Sequence, residues 1–239
     1  MSSTVKPLTH PSPILGIIKA AAFEHSMLSS HAFNWDGPAA RAAIEKWYTD
    51  REALDMQDPT QRFFVSVATS TDDLGSGNDE TIAAWARWGV PHTKPDSTNE
   101  QDEPEYKRKK KELIENPPTG GRPELLGAFF REAVAARRKY LNEERDYVLE
   151  LIATSPNFER QGHGSRLLKC LIDKAEADNA RIYLEATMAG LPVYERLGWK
   201  TVDEVRLKLA DYGIEGDLED VFYIMIREPQ GPGNKEQKH

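Results

Sequence analysis

The chain is short of the groups that announce several kinds of chemistry. Cys170 is its only cysteine among 239 residues. A lone thiol makes no internal disulfide, which fits a reducing compartment. No His/Cys cluster has the spacing of metal ligands, so no metal is expected. Long apolar runs are lacking too. The best N-terminal one, Ile14 to Phe23, is broken by Lys19 and sits behind Pro11 and Pro13, so neither a secretory leader nor a membrane span is expected. Positive charge is in deficit, with 31 Lys and Arg against 39 Asp and Glu and a net charge of −8. No overall field therefore draws the chain to nucleic acid or anionic lipid. These absences predict a cytoplasmic protein, with the nucleus as the alternative compartment, acting as a monomer or homodimer with no nucleic-acid or membrane partner.

What is present is ordinary for a folded domain: 39% hydrophobic and 29% charged residues, with no internal repeat. Val5 to Leu8 reads as a first strand. Ile14, Leu15, Ile17, Ile18, Ala21 and Ala22 recur at helical spacing, predicting a helix that fades near Leu28. His25 and His31 flank its end and read as surface histidines. Asp36 is placed to cap a second helix with Pro38 just inside it. Arg62 to Thr69 and Thr81 to Val90 read as the arms of an antiparallel hairpin, joined by a turn at residues 71–80. Trp85 and Trp88 fall on opposite faces of the second arm, one toward the core and one available to line a pocket.

Residues 91–118 are rich in charge and proline. The run Lys107 to Lys111 has the look of a localisation or phosphate-binding patch, but reads better as a solvated loop or short helix balanced by Glu100, Asp102, Glu103 and Glu105. Pro123 opens a third helix with a double apolar stripe through Leu125, Phe129, Ala136 and Tyr140, beside Leu126, Phe130, Val134 and Leu141. A strand follows over Tyr147 to Thr154. Next come a helix from Gly164 to Ala177, a strand from Arg181 to Ala186, a short helix from Leu191 to Leu197, and two closing strands over Trp199 to Leu209 and Val221 to Arg227. Cys170 reads as core filling. The expected organisation is a single domain over 1–227, including a charged insertion plus helix at 91–145, followed by a disordered tail at 228–239.

Between Thr154 and the next helix stands Gly162-His163-Gly164. A dinucleotide fingerprint needs a third glycine where Leu167 stands, and no Gly-Lys-Ser/Thr follows to make a nucleoside-triphosphate loop. What remains is a phosphate nest, in which glycines let backbone N–H groups approach oxygens at a helix start.

The run Ser155-Pro156-Asn157-Phe158-Glu159-Arg160-Gln161-Gly162-His163-Gly164-Ser165-Arg166-Leu167-Leu168 resembles the coenzyme A loop of the GNAT N-acetyltransferase superfamily. Val193-Tyr194-Glu195-Arg196-Leu197-Gly198-Trp199 is similar to a second segment of that family. The resemblance extends over roughly residues 5 to 227. It implies an α/β (α+β) fold, with a mixed, mostly antiparallel sheet flanked by helices: the acyl-CoA N-acyltransferase fold. It also implies acetyl-CoA as co-substrate and direct transfer of its acetyl group to a small-molecule or protein amine. Ile152, Ala153 and Thr154 would lie along the acyl and pantetheine groups, and Arg160, Gln161, Gly162, His163, Gly164 and Ser165 would hold the pyrophosphate, His163 through its backbone. Glu159 departs from the family's usual glutamine or arginine, so its carboxylate is expected to point outward while Arg160 and Arg166 compensate.

The chemistry sets the remaining roles. An alkyl amine of pKa ~10 is protonated at pH 7, and deprotonating it costs roughly 4 kcal/mol. A base, or waters leading to one, is therefore useful, and Glu150 is the candidate with Glu185 in reserve. Tyr194 stands at the family's general-acid position, where a phenol can donate to the departing thiolate. The alternative is a non-catalytic acyl-CoA sensor that keeps the fold and has lost the chemistry.

Overall fold

The structure, a computed structural model, describes residues 2–71, 78–93 and 103–231. Most of the expected turn at 71–80, Glu100 and Asp102, and most of the 228–239 tail lie outside the described residues. Seven strands form one sheet: β1 (Ser2–Pro7), β2 (Gln61–Thr71), β3 (Asn78–Gly89), β4 (Tyr147–Thr154), β5 (Ile182–Thr187), β6 (Lys200–Lys208) and β7 (Glu219–Arg227), in the spatial order β1-β2-β3-β4-β5-β7-β6. Every neighbouring pair is antiparallel except β4–β5. That is the expected mixed, mostly antiparallel sheet. The helices are α1 (Pro13–Phe23), α2 (Met27–Ala32), α3 (Gly37–Asp55), α4 (Glu105–Glu115), α5 (Pro123–Tyr140), α6 (His163–Ala177) and α7 (Leu191–Arg196).

Strand alternation divides the core between the two faces of the sheet. Tyr147 and Leu149 of β4, Ile182, Leu184 and Ala186 of β5, and Met225 of β7 pack with Leu167, Leu168 and Leu171 of α6. The intervening Val148, Tyr183, Phe222 and Ile224 pack instead with Ala136, Phe129 and Tyr140 of α5. Further along this second face, Phe63, Val65 and Trp85 meet Leu15 and Ile18 of α1. Trp85 and Trp88 do lie on opposite faces, and both are buried in the core, at 0% and 3% exposure.

Three other expectations are corrected. The first helix stops at Phe23, because the Ser26 hydroxyl accepts the Ser29 N–H at 3.2 Å and starts a new helix, α2. Asp36 precedes α3 as expected, yet its side chain makes no cap bond; its own N–H is taken by Asn34 Oδ1 at 2.9 Å. Val134 is 48% exposed, so the second stripe of α5 is interrupted. The basic run is helical, on α4. Lys107, Arg108, Lys109 and Lys111 face solvent, whereas Lys110 turns inward to pair with Asp55. Leu113 and Ile114 pack α4 onto the helical core, where the Trp47 indole N–H donates to the Leu113 carbonyl at 2.7 Å.

Candidate functional site

The middle of the sheet comes apart at one place, and the cause is local. Arg87 of β3 pairs with Leu151 and Trp88 pairs with Leu149, which leaves Glu150 as an extra residue in β4. Such a bulge bends its strand and shifts the alternation of the residues beyond it. Here it places Leu151 with the α1 cluster and returns Ile152 to the α6 side. On its other edge β4 pairs with β5 only over Tyr147–Leu149 against Ile182–Leu184. From Glu150 onward the two parallel strands part, each still held by its outer neighbour, β3 or β7. Ile152, Ala153 and Thr154 therefore present an edge without a strand partner toward β5. Crevices at the carboxyl ends of parallel strands are where α/β sheets bind ligands.

The glycine loop stands at the end of that crevice. After a 3-10 turn at Pro156–Phe158, Arg160 has φ +58° and Gly162 φ +82°, both in the left-handed region. This winds successive N–H groups into a concave nest. The first helical bond of α6 is Arg166 N–H to the Gly162 carbonyl at 3.1 Å. The N–H groups of residues 160–165 have no partner among the described residues. Six unpaired donors at the positive end of a helix dipole suit a pyrophosphate. The loop closes tightly on the strand: a methyl group on Gly164 would touch Thr154 Oγ1 at 3.4 Å and Ile152 Cδ1 at 3.8 Å.

Among the side chains, that of His163 is buried, with Nδ1 2.9 Å from Ser66 Oγ and its ring edge-on to Phe158, so only its backbone faces the nest. Burial, helped by Arg166, pushes its pKa down. Arg166 folds over the loop and donates to the Gln161 carbonyl at 3.0 Å. Glu159 and Arg160 are exposed.

Glu150 lies on the α5 side of the sheet. Arg137 of α5 donates to both its carboxylate oxygens at 3.0 Å and to both oxygens of Glu185 at 2.7 and 2.8 Å. One guanidinium thus ties β4 to β5 at the two residues where their pairing ends. Burial raises the Glu150 pKa, but Arg137 foremost and Arg87 next override it and bring the value to about 2. The same two carboxylates hold the Arg137 guanidinium charged, against the burial that disfavours it.

Tyr194 of α7 belongs to the opposite, α6-side cluster. It is buried edge-on to Trp199 with ring centroids 5.7 Å apart, and burial pushes its phenol up to about 12. Gly190 makes room for it, since a Cβ there would come within 2.8 Å of the Tyr194 ring. Glu150 and Tyr194 therefore lie on opposite faces of the sheet.

The sequence reading missed Arg137, Gly190 and the bulge. Arg137 sits in the basic run Arg137-Arg138-Lys139, which looks solvated. The signal was two carboxylates, Glu150 and Glu185, at matching places on neighbouring strands, which require a cation between them. Among the described residues no group of three or more His, Cys, Asp or Glu side chains is placed to hold a metal, and no helix is long and apolar enough to cross a membrane.

Residues 91–199 match the profile of the acetyltransferase (GNAT) family. Among solved structures, the chain is similar to a Corynebacterium glutamicum protein described as histone acetyltransferase HPA2 and related acetyltransferase, at 19% identity over 98% of this chain and 99% of that one, with a TM-score of 0.53. It is also similar to the ribosomal-protein-S18-alanine N-acetyltransferase of Escherichia coli, at 18% identity over 100% of both chains and a TM-score of 0.45. A third, yncA of Salmonella typhimurium, was solved with acetyl-CoA and aligns at 12% identity over 100% of this chain and 98% of that one, with a TM-score of 0.46. At such identities the likeness is one of fold. No curated protein sequence matches the chain.

Proposed function

We propose that this chain, a member of the GNAT acetyltransferase superfamily, moves an acetyl group from acetyl-CoA to an amine, with residues 1–227 acting as one domain. The observation that carries the reading is the parting of β4 from β5 at the Glu150 bulge, ending at a nest of unpaired N–H groups. An extended pantetheine has amides to pair with the open edge of Ile152, Ala153 and Thr154, as an added strand would. Its pyrophosphate suits the nest formed by Arg160, Gln161, Gly162, His163, Gly164 and Ser165.

In this reading the neutral amine attacks the thioester carbonyl. A C–N bond forms, the C–S bond breaks, the amine gives up a proton and the coenzyme departs as a thiolate. Strand N–H groups at the parting polarise the carbonyl. Glu150, held ionised with a pKa of about 2, is too weak a base to store the amine's proton. Its part is to attract and orient the ammonium and the water that carries the proton away. Tyr194 stays protonated at neutral pH and donates to the thiolate. At about 12 it is a weaker acid than the thiol it serves, so its contribution is a hydrogen bond that shortens proton delivery.

The test is Tyr194→Phe assayed by thiol release, with acetyl-CoA affinity measured by calorimetry. Turnover is expected to fall roughly 100-fold or more while affinity holds. Unchanged turnover would remove Tyr194 from the mechanism. Binding of acetyl-CoA without thiol release to any amine would make the protein a sensor, and failure to bind acetyl-CoA would overturn the reading altogether.

A further inference from the structure

On the α1/α3 side of the sheet, next to Glu150, lies a cluster of charged side chains with little solvent around it. Lys19 pairs with Glu52 at 2.5 Å, Arg87 pairs with Glu52 at 2.9 Å and with Asp55, and Lys110 reaches Asp55 from α4. Arg137, Glu150 and Glu185 continue the cluster along the parting, and Glu150 feels both Arg87 and Lys110. Lys19, Arg51, Arg87, Lys110 and Arg137 thus share four carboxylates, those of Glu52, Asp55, Glu150 and Glu185.

Of these five cations, only Arg51 of α3 makes no ion pair among the described residues. Its guanidinium carbon lies over the rings of Trp47 and Phe130, 4.7 and 4.9 Å from their centroids. The residue is 6% exposed, Nε has no hydrogen-bond partner, and no carboxylate pairs with it among the described residues. A buried cation without a paired anion is unfavourable. The neighbourhood shows the strain: burial first, then Arg87 and Arg51, bring Lys110 down to about 7, and burial lowers Arg51 itself to about 10, with Glu52 offsetting part of it and Arg87 adding to it. Contact with aromatic rings satisfies none of a guanidinium's N–H donors, which form a fork suited to a planar, two-oxygen partner. The cluster meets solvent at Lys110, whose side chain is 31% exposed.

We infer that the acceptor is an amine that also carries a carboxylate, which pairs with Arg51 and Lys110 while the amine lies toward Glu150. The inference rests on the acetyltransferase reading and narrows its substrate class. A zwitterionic acceptor matches the site at both ends, an anion for the Arg51 guanidinium and an ammonium for the ionised Glu150. This also accounts for α4, whose Lys110 brings a second cation to the same place.

The experiment compares paired acceptors that differ only in that group: glycine and glycinamide, β-alanine and β-alaninamide, lysine and lysinamide, glycylglycine and its amide. Each is assayed for thiol release from acetyl-CoA and for its effect on melting temperature. In at least one pair the acid is expected to exceed the amide in kcat/KM by roughly 10- to 100-fold, the range of a charge-assisted contact. Arg51→Met, which keeps the stacking volume and removes the charge, is expected to abolish that preference, to leave acetyl-CoA affinity as it was, and to melt no lower than the wild type. No acid preference in any pair overturns the inference, as does a preference that survives in Arg51→Met. A loss of acetyl-CoA affinity in that variant also overturns it, because the anion would then be the coenzyme's. Retained acetyl-CoA binding and thiol release in those cases leave the acetyltransferase reading standing.

Discussion

Arg137→Met is the most informative perturbation of the parting, because it removes four hydrogen bonds to two carboxylates at once. The Glu150 and Glu185 side chains are only 14% and 11% exposed, so neither is rescued by water. Breaking a buried ion pair by deleting one partner costs about 3–5 kcal/mol. The fall of the Glu150 pKa from 4.5 to about 2 points to a similar size, roughly 3 kcal/mol. In a chain of this length that is a drop in melting temperature of roughly 10 °C. The pH dependence has a definite sign. Because the folded pKa lies below the unfolded one, the stabilisation is fully present above 4.5 and is lost as pH falls from 4.5 toward 2. The wild-type advantage over Arg137→Met, measured by urea titration, should be largest near pH 7 and shrink on acidification through that window. Adding Glu150→Gln and Glu185→Gln to Arg137→Met should restore part of the loss, since the unpaired charges go with the cation. An Arg137→Met variant as stable as the wild type at pH 7, or a deficit that neither acid nor the added glutamines reduce, would refute the electrostatic account.

Gly190→Ala places a methyl group 2.8 Å from the Tyr194 ring and should displace the phenol, slowing thiol release by up to about 100-fold while calorimetry shows acetyl-CoA affinity retained; an unchanged rate would detach Tyr194's position from its role. Lys19 is brought down to about 7 from 10.5, by burial that Glu52 only partly offsets, so the unfolded chain holds that proton more firmly. The wild type should therefore gain stability relative to Lys19→Met as pH rises from about 7 to about 10, and a difference that stays flat or falls in urea titrations would contradict this.

Much of the frame was legible because it is written in short-range terms. β4 reads as Tyr147–Thr154 from its own composition, and Pro123 marks the start of α5. The glycines at 162 and 164 mark the nest because left-handed backbone and close approach favour that residue. The bulge was not legible, since an extra residue in β4 is defined by its pairing with β3, and alternation within one strand carries no sign of it. Arg137 was hidden by its charged neighbours, as was Lys110 within its run; each turns inward only because a carboxylate from a distant part of the chain waits there. The division of α1 from α2 depended on a serine capping locally where the apolar period alone predicted continuity.

The three residue pairs that join β4 to β5 also divide the chain in sequence. Everything on one side of that seam, β1 to β4 with α6 packed beneath them, comes from residues before 178, and β5 to β7 come from residues after 181. Mechanically the sheet is two contiguous half-sheets sharing a narrow hinge, with α5 lying across both on one face and α6 on the other. Strain applied to the seam, by denaturant or by a wedged ligand, is then borne by those two helices and one guanidinium before it reaches either half.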